Sequence, residues 1–230
     1  MTPVAEPIFP TLDFEKEFWK AGLAHIAGID EAGRGAWAGP VCAAALILPV
    51  QATLLQSLRP VRDSKLMTPQ ARETWSPRIQ QAALSWGVGF ASALEIDSLG
   101  ILPATKLAAT RALSALSPAP DALLTDYLVF PNSELDQVAL IKGDQLSLSI
   151  AGASVLAKTA RDAVMRELDR AYPGYGFARH KGYGTQFHQQ AIQTLGLCEI
   201  HRRSFSMKGV TPSSARPAYH NDVKEAGGSG

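Results

Sequence analysis

The chain has 230 residues, 46% of them hydrophobic and 19% charged, which fits one large globular domain with at most a small appendage and excludes wholesale disorder. Its 22 Lys and Arg nearly balance 21 Asp and Glu, leaving a net charge of +1, so the global balance gives no argument for a nucleic-acid partner.

Residues 1–22 read as a leader that packs on the domain or is mobile, with Phe14, Phe18 and Trp19 sharing one apolar helical face. It lacks the basic-then-apolar pattern of a signal peptide, and no apolar run in the chain reaches membrane-spanning length. Residues 24–30 predict a first strand, and residues 41–48, an apolar run closed by Pro49, a second, buried one. Cys42 lies in that run as a small core residue. With Cys198 it makes neither a disulfide framework nor a zinc site, as expected in a reducing cytoplasm. Asp63-Ser64-Lys65 is a polar turn. Residues 69–84 have helical character, and Pro77 is expected to split them. Residues 86–91 predict a short strand, 103–116 an amphipathic helix opened by Pro103, and 122–130 and 138–141 two further strands. A long helix over 149–172 stops at Pro173-Gly174, and a shorter one over 186–195 stops at Gly196. Residues 179–210 hold five Lys and Arg against one acid, a modest basic patch. From Thr211 the chain is rich in Ser, Pro and Gly and is expected to be disordered. The expected organisation is a leader (1–22), a catalytic domain with a helical C-terminal cap (23–210) and a tail (211–230). The fold class is α/β, a mixed sheet flanked by helices.

The most informative stretch is Ala27-Gly28-Ile29-Asp30-Glu31-Ala32-Gly33-Arg34-Gly35. Two adjacent carboxylates end a strand, and a glycine-flanked arginine follows. Such a pair suits a divalent metal, and the exposed amides and guanidinium suit a phosphate or sugar beside it. A solvated turn is the bland alternative. Asp126 interrupts an apolar strand, where a charge is costly unless paired, metal-bound or held by backbone amides. Asp144 precedes the long helix, where it could equally be a helix cap. Together the four acids can gather at one sheet edge, and carboxylate-rich sites suit Mg²⁺ or Mn²⁺. Two such ions can activate water and stabilise the leaving oxygen of a phosphodiester.

These segments, with Ala38-Gly39-Pro40-Val41, Asp63-Ser64-Lys65 and Lys142-Gly143-Asp144, resemble type 2 ribonuclease H (RNase HII). So do residues 149–158 (SIAGASVLAK) with Arg161-Asp162, His180-Lys181-Gly182-Tyr183 and Arg202-Arg203-Ser204-Phe205. The matches keep their order over roughly residues 24–206. The resemblance implies an RNase H-like fold and cleavage of the RNA strand of RNA–DNA hybrids; a monomer is expected. It also implies incision 5′ of single ribonucleotides in ribonucleotide-containing duplex DNA, leaving 3′-hydroxyl and 5′-phosphate ends. It makes Asp30, Glu31, Asp126 and Asp144 the metal-binding catalytic carboxylates, for Mg²⁺ or Mn²⁺. Gly33, Arg34 and Gly35 become the sensor of the ribose 2′-hydroxyl, Tyr183 the residue that packs on the sugar at the RNA–DNA junction, and Ser64, Lys65 and Lys158 phosphate contacts.

The physics agrees. The 2′-hydroxyl separates RNA from DNA, and glycines permit the close backbone approach that reading it requires. Lys and Arg neutralise phosphates without reading sequence. Lys158 and Arg161 could instead form a solvated helix face, and His180, His188 and His201, whose spacing fits no metal motif, are expected at the surface or on phosphates. The chain departs from the family pattern at Tyr127, where Gly usually follows the third carboxylate, at Ala36 and Trp37, and at Gly152. Two other functions compete. Gly33, Gly35 and Gly39 mimic a dinucleotide-binding fingerprint, but a strand follows where that fingerprint needs a helix. A binding module without catalysis would not put four acids against a phosphate backbone.

Overall fold

The structure is a computed structural model that describes residues 9–207 and 209. The expected tail and residues 1–8 of the leader lie outside the described residues. The rest of the leader contains a helix, α1 (Asp13–Lys20), tied down by buried Glu15, which accepts hydrogen bonds from the Ser147 and Ser149 hydroxyls and the Ser149 amide.

One five-stranded sheet forms the centre, in the order β3-β2-β1-β4-β5. Its strands are β1 (Ile26–Ala32), β2 (Val41–Ile47), β3 (Ser85–Ala91), β4 (Ala122–Asp126) and β5 (Asp136–Leu140). β1, β2 and β3 form an antiparallel meander, whereas β4 and β5 run parallel to β1. The helices after α1 are α2 (Leu54–Ser57), α3 (Pro69–Ala82), α4 (Ala93–Leu99), α5 (Ile101–Ser114), α6 (Gly143–Leu146), α7 (Leu148–Ala171), α8 (Phe177–His180) and α9 (Gln186–Leu195).

The period of two along β2 divides the core. Val41, Ala43, Ala45 and Ile47 meet the alanine stripe of α5 on one face, while Cys42, Ala44 and Leu46 meet α3 and α7 on the other. Gly152 has a clear reason there: a Cβ at that position would stand 2.4 Å from Leu46 Cδ2, so the glycine lets α7 lie close on β2. α8 and α9 form a separate cap around Phe177, Tyr175 and Met165.

Two expectations are corrected. Pro77 does not split α3, which is continuous. Thr68 caps it, accepting from the Ala71 amide, and buried Ile79 anchors the half beyond the proline, so packing outweighs the missing backbone bond. The strand expected over 122–130 ends at Asp126, because Tyr127 turns to φ 65° and an extended ladder cannot continue through that conformation. Among the described residues no helix is long and apolar enough to cross a membrane.

Candidate active site

The parallel pairing of β1 and β4 matches Ile29 with Thr125. The next position on each strand is therefore an acid, Asp30 beside Asp126. β5 then leads through Lys142, in the left-handed conformation, into α6, which carries Asp144 in its first turn. The Gly143 amide donates to Asp126 Oδ1 at 2.9 Å, joining the third and fourth acids. Glu31 follows Asp30, whose Oδ1 accepts the Glu31 amide at 2.7 Å. Tyr127 takes the backbone conformation that suits the glycine usual at its position, and its ring is exposed.

These carboxylates crowd one another out of water. Asp30 is 2% exposed and Asp144 3%. Burial, then the charges of Glu31 and Asp126, push the Asp30 carboxyl well above the usual range. Burial also raises Glu31, against the pull of Arg34. Asp144 is raised to about 6 by burial and by Asp63 and Asp126. Asp30 Oδ2 and Glu31 Oε2 are buried without a hydrogen-bond partner. An orphaned anionic oxygen in such a place asks for a cation.

An all-oxygen acidic set fits a hard divalent ion. Among the described residues no three His, Cys, Asp or Glu side chains close on a single point. Uncompensated carboxylates repel, and Mg²⁺ keeps several waters while taking only one or two carboxylates directly. The residues therefore fit a hydrated divalent cation and not a preformed cage.

Sequence reading missed a fifth acid. Asp63, buried, accepts the Lys65 amide at 2.9 Å and raises Asp144. Its Asp-Ser-Lys setting reads as an ordinary turn, and only the tertiary fold brings it to the site. Lys65 Nζ lies 3.5 Å from Asp144 Oδ2. Burial pulls this amine down, but Asp63, Asp144, Asp30 and Asp126 together raise it.

All seven expected substrate contacts (residues 33–35, Ser64, Lys65, Lys158 and Tyr183) line one cleft of about 480 Å³, with Glu31 also at its wall. A larger apolar pocket of about 560 Å³ beside α5 has Lys106 as its one charged residue and no acid. Within the cleft, several side chains differ from expectation. The Arg34 guanidinium does not reach outward for a phosphate. It donates to Glu31 Oε1 at 3.1 Å. Ser64 is buried, and its hydroxyl accepts from Ser154. Lys158 donates to Asp162 at 2.7 Å. Tyr183 is half-exposed, with Lys158 Nζ 5.8 Å and Arg161 Cζ 5.6 Å from its ring centroid.

Of the basic patch, Arg202 is buried while Arg203 is exposed. Arg161 of α7 is buried and forms no solvated face, and the histidines expected at the surface are buried too. His180 stacks on His188 at 4.4 Å, and His188 Nε2 lies 3.1 Å from His201 Nε2. Burial lowers both His188 and His201 to about 4, so this cluster is a neutral hydrogen-bonded core of the cap.

The Ribonuclease HII family model matches residues 27–208. Ribonuclease HII of Thermus thermophilus is 50% identical over 198 residues, spanning 86% of this chain and 94% of that protein. The Geobacillus thermodenitrificans enzyme of the same name is 52% identical over 193 residues, spanning 84% of this chain and 73% of that protein. Among solved structures, ribonuclease H2 from Pyrococcus horikoshii superposes with a TM-score of 0.65 at 25% identity, covering 79% of this chain and 94% of that one. RNase HIII in complex with Mn²⁺ shares the fold, with a TM-score of 0.55 at 20% identity over 75% of this chain and 63% of that one. With most of its length matched at about half identity, this chain belongs to the ribonuclease HII family.

Proposed function

We propose that this ribonuclease H incises duplex DNA on the 5′ side of a single embedded ribonucleotide, as well as cutting the RNA strand of RNA–DNA hybrids, and leaves 3′-hydroxyl and 5′-phosphate ends. Family membership carries the coarser activity, RNA-strand hydrolysis in hybrids with a divalent metal. The finer reading rests on one observation: the four separate segments that carry the expected substrate contacts all line a single cleft that also takes in Glu31.

Asp30, Glu31, Asp126 and Asp144 would hold Mg²⁺ or Mn²⁺, which when bound supplies a water of lowered pKa and balances charge on the leaving oxygen. The protein's own part is positioning. The backbone of residues 33–35 faces the ribose, where only an RNA sugar offers a 2′-hydroxyl. Tyr183 offers a flat face to the sugar across the junction, where a second hydroxyl would crowd it. Lys65 and Lys158 attract the phosphates on either side, and Ser64 lies beside them on the cleft wall. We read the enzyme as a cytoplasmic monomer, with residues 23–210 as its catalytic unit.

The test is cleavage of an end-labelled duplex carrying one ribonucleotide, with Mg²⁺, with Mn²⁺ and with neither. A single metal-dependent cut 5′ of the ribonucleotide is expected. Cutting on its 3′ side, or of hybrids alone, would overturn the finer reading.

A further inference from the structure

Arg161 and Arg202 rank among the largest fully buried side chains. A buried charge is expensive unless it is paired, yet among the described residues neither guanidinium bonds a carboxylate, and their hydrogen bonds there run to backbone carbonyls. Arg202 donates to Gly33 O at 2.8 Å, Arg34 O at 2.8 Å and Gly39 O at 3.0 Å. Arg161 donates to Pro40 O at 2.8 Å, Lys181 O at 2.9 Å and Ala38 O at 3.2 Å. Burial, with the neighbouring Arg161 charge, lowers Arg202 to about 9.

The carbonyls Arg202 holds decide where the intervening amides point. In a planar trans peptide, the C=O of one residue and the N–H of the next face opposite ways. With Gly33 O and Arg34 O turned inward on Arg202, the amides of Arg34 and Gly35 face away from it. Neither amide donates to a protein acceptor among the described residues, and the space beside Gly35 is open. Both residues line the cleft. Arg161 fixes the other wall. It lies so close beneath the loop that a Cβ on Gly33, at φ 93°, would meet its Nε at 1.9 Å. It also packs against the Tyr183 ring and holds Lys181, two residues before it.

We propose that Arg202 is a positioning residue for ribose recognition: it holds the Arg34 and Gly35 amides as two preformed donors for the 2′-hydroxyl and its neighbouring phosphodiester, while Arg161 keeps Tyr183 in register with them. The proposal rests on the reading of residues 33–35 as the ribose sensor. Lysine cannot replace Arg202, because one ammonium lacks the planar fork that reaches three carbonyls at fixed angles.

The test pairs an enzyme change with a substrate change. Affinities of Arg202→Lys and wild type are compared by fluorescence anisotropy, without divalent metal so that nothing is cut, on duplexes with one ribonucleotide and on duplexes with a 2′-deoxy sugar at that position, which offers the amides no acceptor. In wild type the deoxy substitution should weaken binding about 100-fold. In Arg202→Lys, with the fold verified by near-ultraviolet circular dichroism, binding of the ribonucleotide duplex should weaken about 30-fold and the deoxy penalty should shrink below about 10-fold, a non-additivity that general loosening would not produce. An undiminished deoxy penalty in the variant overturns the proposal while leaving the ribose-sensor reading intact. A wild type indifferent to the 2′ group overturns that reading and the proposal with it. Should the lysine variant fail to fold, ¹⁵N relaxation of the wild-type enzyme decides. Order parameters for Arg34 and Gly35 near those of rigid backbone, about 0.85, support preformed donors, and values below about 0.6 contradict them.

Discussion

The Lys65 ammonium lies 3.5 Å from Asp144 Oδ2 and 3.9 Å from Asp63 Oδ1, so an exposed cation at the mouth of the acidic cluster bridges two buried acids. Its side chain is 72% exposed, free to swing to a phosphate once a metal compensates the carboxylates. Lys65→Ala should weaken substrate binding uniformly across sequences and reduce the slope of log affinity against log salt by about 1. Titration of duplex binding at several salt concentrations checks this, and an unchanged slope would remove Lys65 from the phosphate contacts.

Asp144, raised to about 6, makes a pH prediction. The folded chain binds this proton more tightly than the unfolded chain does. Its contribution to stability is therefore full below about pH 4, the unfolded carboxyl's range, and is lost as pH rises through 6. Asp144→Asn imitates the protonated form. Without divalent metal it should gain in Tm over wild type between pH 4 and pH 7, by a few degrees, and Mg²⁺ should erase the difference by stabilising wild type alone. His188 and His201, lowered to about 4, act with the opposite sign, losing stability as pH falls through 6.5 toward 4. The comparison between variant and wild type cancels them. Thermal unfolding across pH, with and without Mg²⁺, is the measurement.

Tyr127 holds a left-handed conformation with an exposed ring. Glycine would relieve a backbone penalty of about 1–2 kcal/mol, against a larger entropy loss on folding. Tyr127→Gly should thus range from neutral to about 1 kcal/mol more stable, with activity retained. Urea unfolding and a cleavage assay check it, and a clear loss in either would show that the ring itself is used.

Much of this was legible in the sequence, for identifiable reasons. β1 and β2 are apolar runs closed by acids and a proline, and the 186–195 helix carries its own cap and its terminating Gly196. The four acids stood out because each interrupts an apolar segment or precedes a helix. What stayed hidden depends on tertiary context. Arg161 could be read as a solvated helix face and Arg202 as part of a basic patch, since the carbonyls that hold them come from residues 120 or more positions away, apart from Lys181 O. Asp63 looked like turn chemistry. The histidines looked polar, although their rings pack on Phe177. Tyr127 departed from the family's glycine in sequence while keeping the backbone conformation that glycine would take.

Tyr183→Ala should damage cutting at a single ribonucleotide more than cutting of a long hybrid, by about tenfold, because only the former requires a deoxyribose at one defined place. Parallel kcat/KM measurements on the two substrates check this. Equal losses would reject a junction role and leave the ring as packing for Lys158 and Arg161.

The central claim is that the buried acids at the sheet edge do the cutting. Asp30→Asn keeps the shape of the most buried of these four acids and removes its charge. With Mg²⁺ present, cleavage of a duplex bearing one ribonucleotide should fall at least about 1,000-fold, while fluorescence anisotropy shows the duplex still bound with near wild-type affinity. Full cleavage by Asp30→Asn would contradict the account outright.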